Sequence, residues 1–329
     1  MVAGSFAELP LVRVTCDKYA DQSATVALGG SGLNVSGVAF SVTAGRETAY
    51  GNGSNSFTYS MQLPPATYDL ILAERQDTGG PSKAEVIRQQ ALLADDTSRV
   101  HDFTNVPAVV NRTFTVNGST SQMGSVYVWT AGGSFLDTNF SYYLPMDFWE
   151  PASLAAGDAI LALSEEYVAG GSVRMFDFSG GGDVSMTPPA PMGPASLQHT
   201  GSVAANTRLT WSAVSDAGVY CGEAYGDLAG TFWYFSVTPS QAGSSPSFQV
   251  PDLTQAPDFV TQGFDIVSAD VSTTSACAVQ TPLANGVRGS RLSASQLGAV
   301  TYPEYFYTAA APPDRGRYFI QTRFAAGGT

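Results

Sequence analysis

Residues able to carry chemistry are scarce in this chain, and spacing disqualifies most of them. There are two histidines, His101 and His199. Neither lies in an HExxH pattern or beside a cysteine, so two-histidine metal chemistry has no motif. Paired carboxylates are the second resource, because glycoside hydrolysis needs two of them across a scissile bond. Asp95-Asp96, Glu165-Glu166 and the Asp147/Glu150 pair are the candidates. Neighbouring residues on a strand point to opposite faces, which argues for solvated carboxylates over a catalytic dyad. Asp177-Phe-Ser-Gly-Gly-Gly-Asp183 is acidic and glycine-rich, but it lacks the dense alternate oxygens of a calcium loop. Without a lysine and a following helix it is not a phosphate loop either. It reads as an irregular turn. No GxSxG elbow occurs. A Ser-His-Asp triad assembles from residues far apart in sequence, so a hydrolase site in the long C-terminal region is the enzymatic alternative left open. No cofactor and no metal is called for.

Aromatic side chains are the third resource. Tyr142-Tyr143-Leu-Pro-Met-Asp-Phe-Trp149, Phe232-Trp233-Tyr-Phe235 and Tyr302-Pro-Glu-Tyr305-Phe-Tyr307 are dense clusters. Consecutive aromatics on a strand turn some rings outward, where they can stack on sugars or dock on protein. Tyr142, Tyr143, Trp149, Trp233, Tyr305 and Tyr307 are therefore the candidate binding residues. The competing reading puts one face in the core and the other under a loop or neighbouring domain. Of the three cysteines, Cys16, Cys221 and Cys277, the last two fall in strand-like segments of one region. A disulfide between them and a set of buried thiols are both open. An oxidising compartment would favour the bridge.

The elements that must position these residues are short strands. Ser23–Leu28, Val38–Val42, Ser56–Gln62, Thr67–Leu72, Arg112–Val116, Ser125–Trp129, Val173–Phe178, Thr231–Val237 and Arg317–Phe324 alternate apolar and polar residues between Gly, Pro, Asn, Asp and Ser. That period of two, in β-branched and aromatic residues, predicts half-buried strands and an all-β fold of antiparallel sandwiches. Helix signals are confined to Pro81–Leu93, which also fits a strand edge, and to Ala152–Ile160.

Composition narrows the partners. The 329 residues are 44% hydrophobic but only 13% charged, and 28 acids against 15 bases give −13. By segment the balance is −4 over 1–108, −6 over 109–193 and −3 over 194–329. An acidic chain lacks the basic footprint of a nucleic-acid binder and is repelled by anionic membranes. No run approaches the length of a membrane span. No signal peptide is visible, and Met1 fits either a native start or one that replaces a removed leader.

An internal repeat organises the first half. Gly37-Val-Ala-Phe-Ser-Val-Thr-Ala-Gly45 parallels Gly124-Ser-Val-Tyr-Val-Trp-Thr-Ala-Gly132, an offset of 87 residues. Each follows a strand ending in Gly (Thr25–Gly29, Phe114–Gly118). Each precedes an aromatic strand (Phe57–Met61, Phe140–Tyr143) and then an apolar one (Tyr68–Glu74, Asp158–Glu165). The period is too long for a solenoid and fits tandem sandwiches. Leu63-Pro-Pro-Ala-Thr-Tyr-Asp-Leu-Ile-Leu72 resembles the carboxypeptidase-regulatory-like, transthyretin-related β-sandwich, with Ala66 where that family usually has Gly. The linker Asp95–Pro107 with Phe114–Gly118 resembles tandem modules of bacterial surface lipoproteins. Four prolines in Thr187–Pro194 mark a stiff linker. Beyond it, Arg208-Leu-Thr-Trp211 resembles the second strand of a fibronectin type III or Ig-like domain, whose Trp packs between the sheets.

The domain expectation is 1–108 as a first sandwich, 109–187 as a second, decayed copy, and 188–329 as a fibronectin type III/Ig-like sandwich with extra strands. The resemblance implies an exported, non-catalytic surface protein, extracellular or in the cell envelope. It would act as a structural or binding component toward protein or polysaccharide. The alternatives are an accessory carbohydrate-binding protein of a polysaccharide-active enzyme and a virion or phage surface protein.

Overall fold

The computed structural model describes residues 24–29, 38–45, 47–52, 56–61, 66–76, 81–92, 105–118, 123–198, 208–226, 231–237, 239–249, 275–280 and 316–327. Within them the chain is all-β, with one helical turn, α1 (Pro239–Ala242). The alternating segments become strands because a pleated backbone sends successive side chains to opposite faces. Pro81–Leu92, ambiguous between helix and strand in sequence, is a strand, and Ala152–Ile160 is turns leading into one.

The N-terminal part contributes β1 (Ala24–Gly29), β2 (Val38–Ala44), β3 (Glu47–Asn52), β4 (Ser56–Met61), β5 (Ala66–Gln76) and β6 (Pro81–Leu92). β1 pairs with β4, and the other four form a sheet in the order β3-β2-β5-β6. The middle part contributes β7 (Val110–Val116), β8 (Met123–Trp129), β9 (Phe135–Ser141), β10 (Met146–Glu150), β11 (Ala159–Val168), β12 (Gly171–Ser179) and β13 (Val184–Met186). Here β7 pairs with β10, and four strands run β9-β8-β11-β12. Apart from β13, which pairs in parallel with β7, the two parts use the same strand order. The counterpart of β4 is β10, not Phe140–Tyr143, whose first residues end β9 and whose tyrosines lie in the loop beyond.

The C-terminal part adds β14 (Ala195–Gln198), β15 (Arg208–Thr210), β16 (Ala217–Gly226), β17 (Thr231–Val237), β18 (Ser247–Gln249), β19 (Ser275–Gln280) and β20 (Gly316–Gly327). Strands β14, β15 and β18 pair with one another on one side. On the other side the order is β17-β16-β19-β20. Leu197, Leu209, Trp211, Tyr220, Phe235 and Ala276 fill the space between. Trp211 stacks on Phe235 at 5.5 Å and meets Tyr220 edge-on at 5.6 Å. The Tyr220 hydroxyl accepts from the Val214 amide at 2.9 Å, tying the turn before β16 to its core.

β20 does not stop at this sandwich. It pairs with β19 on one edge and with β12 of the middle part on the other, so a single sheet runs from β17 to β9 across residue 187. Its last residues pair in parallel with β14.

Several strands are buried on both faces. From Asp69 to Glu74 every residue of β5 is buried, and so are Ala159–Ala162 of β11. Ile71, Ala73, Ala84 and Val86 of the first part lie in one apolar cluster with Phe114, Val126, Ile160 and Met175 of the second. The opposite face of the middle sheet carries Trp129, Leu161, Phe176 and Phe178, continuous with Cys221 and Ile320 of the third. At roughly 1.5–3 kcal/mol for each large side chain fully buried, these shared clusters are a main source of cohesion.

Candidate functional site

Three exposed aromatics lie together at the end of β9 and the start of the loop to β10, while Tyr50, Tyr167 and Phe324 are exposed singly on other strands. Phe140, Tyr142 and Tyr143 are 46%, 66% and 75% exposed. Phe140 and Tyr142 meet edge to face with ring centroids 4.8 Å apart. Polar bonds shape the loop that carries them. The Tyr143 amide donates to Ser141 Oγ at 3.1 Å, and that hydroxyl donates to the Tyr143 carbonyl at 2.7 Å. Asn139 accepts from the Phe140 amide through Oδ1 at 2.9 Å and donates from Nδ2 to the Asp147 carbonyl at 2.5 Å. Leu144 anchors the base of the loop, packed against the core cluster. Gly124 leaves room for it: a Cβ there would stand 2.8 Å from Leu144 Cδ2, so a larger residue would displace the leucine tip. Two consecutive tyrosines are therefore exposed on a turn pinned by its own backbone and side-chain bonds.

Trp149, expected to join this surface, is buried at 3% exposure in the core cluster. Phe148 beside it is buried as well. Both faces of β10 are covered at this end, so alternation does not expose either ring. The Trp149 indole Nε1 finds no hydrogen-bond partner there. Trp233 stands on β17, the terminal strand of the long sheet, opposite Ala224. Tyr305 and Tyr307 lie outside the described residues, as do His101, His199, Asp95, Asp96 and Cys16.

Cys221 is disulfide-bonded, and the residue directly opposite it across the β16–β19 ladder is Cys277.

Three of the carboxylates considered for catalysis, Glu150, Asp147 and Glu165, bond to neighbouring groups of the chain. Glu150 takes two bonds from Arg112, at 2.6 and 2.9 Å, and one from the Gly182 amide at 2.9 Å. Asp147 accepts from the Thr113 hydroxyl at 3.3 Å. Glu165 pairs with Arg174 at 2.9 Å. The two ends of the glycine-rich acidic turn separate. Asp177 pairs with Arg317 of β20 at 2.8 Å, whereas Asp183 accepts from the Thr113 amide at 3.0 Å. Among the described residues no group of three His, Cys, Asp or Glu side chains is placed to hold a metal. No helix there is long and apolar enough to cross a membrane.

Sequence reasoning passed over Arg88, Asp69 and Asp158, which form a densely bonded polar cluster. Arg88 donates to Asp69 at 2.9 Å and to both oxygens of Asp158, at 2.8 and 2.5 Å. The available signal was the Asp that opens each apolar run of the repeat, Asp69 before Leu70–Ala73 and Asp158 before Ala159–Ala162.

No family model matches the chain, and no curated protein matches it. Among solved structures, the FN1–FN3 domains of chicken CNTN1 align over 75% of this chain and 84% of that one, with 10% identity and a TM-score of 0.15. That likeness is too slight to carry an argument about this chain.

Proposed function

We propose that this chain is a non-catalytic, exported structural arm of β-sandwich domains that presents an aromatic loop to a protein or polysaccharide partner. The observation that carries the reading is the pair of outward tyrosines, Tyr142 and Tyr143, on a turn fixed by its own hydrogen bonds. Rings held open in this way lose little freedom when a ligand stacks on them. Placement outside the reducing cytosol is supported by the disulfide at Cys221. The finer domain assignment, two transthyretin-related sandwiches followed by a fibronectin type III-like one, is part of the same proposal. The repeated strand order and the three-against-four strand packing around Trp211 favour it.

The test compares the wild-type chain with a Tyr142→Ala/Tyr143→Ala double variant on a polysaccharide array and in pull-downs from cell-envelope extracts. The expected result is a specific partner retained by the wild type and lost by the variant, with an unchanged melting profile. Equal binding by both chains would sink the aromatic-loop reading. Turnover of any arrayed glycan would overturn the non-catalytic one.

A further inference from the structure

Tandem sandwiches joined only by a linker reorient freely, because inter-domain surfaces are ordinarily small and polar. The junction between the first two parts of this chain is built differently. Asp69 lies on β5 and Arg88 on β6, while Asp158 precedes β11 of the next part. Every oxygen of the two carboxylates is engaged. Asp69 Oδ2 accepts from Arg88 and from the Gly132 amide at 3.1 Å, and its Oδ1 accepts from the Gln89 amide at 3.0 Å. Asp158 Oδ1 accepts from Arg88 and from the Ala131 amide at 2.9 Å. Its Oδ2 accepts from Arg88 and from the Ala155 amide at 2.8 Å.

The remaining contacts fix direction as well as distance. Arg88 also donates to the Ser153 carbonyl at 3.0 Å, and the Val86 amide donates to Ser153 Oγ at 2.9 Å. The Phe135 amide donates to the Gly45 carbonyl at 2.7 Å, and Ser134 Oγ bonds the Asp69 carbonyl. Gly132 is obligatory, since a Cβ there would overlap the Asp69 carboxylate. The carboxylates are almost fully buried, but the Arg88 side chain is 32% exposed. A charge reachable by water between two buried ones costs less to desolvate than a fully sequestered triad.

Arg88 has no counterpart in the second copy. Ile71 faces Val86, and the equivalent Ile160 faces Ser179, so two residues further along stand Arg88 and Gly181.

We propose that Arg88, held between Asp69 and Asp158, locks the orientation of the first sandwich on the second, so that the pair moves as one stiff element. This inference does not depend on what the aromatic loop binds. The lock is read in the full-length chain by amide hydrogen exchange and small-angle scattering, comparing wild type with Arg88→Gln. The expected result is exchange about tenfold or more faster at Ala131, Gly132 and Ala155. The amides of β11 and β12 keep their protection, and the distribution of interatomic distances broadens. Unchanged exchange at those three amides with unchanged scattering overturns the lock and leaves apolar packing as the sole constraint. Should Arg88→Gln fail to fold, Asp69→Asn keeps the Arg88–Asp158 pair and weakens the bonds that Asp69 accepts from Arg88, Gly132 and Gln89. Faster exchange confined to the Gly132 and Gln89 amides supports the lock, and no change there overturns it.

Discussion

At the scale of the residue, two buried aspartates show opposite electrostatics for reasons visible in their partners. Burial opposes ionisation of Asp158, but bonds from Arg88 and from the Ala155 and Ala131 amides outweigh it and hold the carboxyl below its usual range. Burial also dominates at Asp177 and raises its carboxyl, because Arg317 compensates only in part. Each shift makes folding stability depend on pH, because the folded and unfolded chains bind protons differently. Asp158 contributes stability above the ordinary aspartate value of about 3.9, lost as pH falls through that value toward the folded one. Asp177 does the reverse: stability falls as pH rises from the ordinary value to its raised one. Asp158→Asn should therefore cost about 3–5 kcal/mol near neutral pH, the range for breaking a buried pair. The deficit should shrink in acid as the wild type itself loses the charge. Asp177→Asn should cost less than about 1 kcal/mol or stabilise, since Arg317 is half exposed and stays hydrated. Denaturant titrations of both variants at neutral and acid pH check the pair of signs. Equal losses for the two at neutral pH would refute the distinction.

At the scale of the element, sequence periodicity located strands well and their faces less well. Arg112–Val116, Ser125–Trp129, Thr231–Val237 and Arg317–Phe324 fall on β7, β8, β17 and β20. A period of two says that a strand has two faces, but not what covers each. Leu70-Ile-Leu-Ala73 was legible as an apolar run, and such runs occur where both faces are buried. Trp149 illustrates the converse: its exposure was inferred from crowding with other aromatics, whereas packing covers β10 on both sides. Tyr142 and Tyr143 came out exposed because they sit past the end of β9, where no partner strand faces them. The role of β20 was not legible at all, since pairing across about 140 residues leaves no local pattern. It is stitched in place by Arg317 to Asp177, by Arg323 Nε to the Met192 carbonyl at 2.7 Å, and by the Met192 amide donating to Gln321 at 2.5 Å. A chain truncated before Gly316 should consequently lose the middle sheet's neighbour as well as the third sandwich's. Trp129 and Trp211 emission should both shift to the red. A shift confined to Trp211 would mean that β12 does not need its partner. The cysteines allow a second check at this scale. Cross-strand register makes Cys277 the partner for Cys221, so peptide mapping under non-reducing conditions should recover that pair. A bridge to Cys16 would contradict it.

At the scale of the whole molecule, the two junctions differ in kind but have the same consequence. The first part meets the second through a charged lock and a shared apolar cluster. The second meets the third through a sheet that never breaks. Acidity spread over all three segments, −4, −6 and −3, keeps such a surface soluble without concentrating it into a patch. Independent tandem domains would unfold in separate steps, because each would bury its own core and lose it alone. Here, unfolding the middle part strips the neighbours of Ile71 and Val86 on one side and leaves the β20 edge unpaired on the other. Equilibrium unfolding of the oxidised chain should therefore be a single transition over the three parts. Far-ultraviolet circular dichroism and tryptophan emission should give coincident curves, since Trp129 and Trp149 report the middle and Trp211 the third. The slope against denaturant should match the surface of the whole chain, larger than the roughly 1–3 kcal/mol/M in urea of a small protein. Resolved steps with Trp211 melting apart from the rest would show that the continuous sheet transmits no cooperativity. Arg88→Gln bears on the same point from the other end. If the lock couples the first part to the second, that variant should split off an early phase seen by circular dichroism and not by tryptophan, because the described residues of the first part contain no Trp.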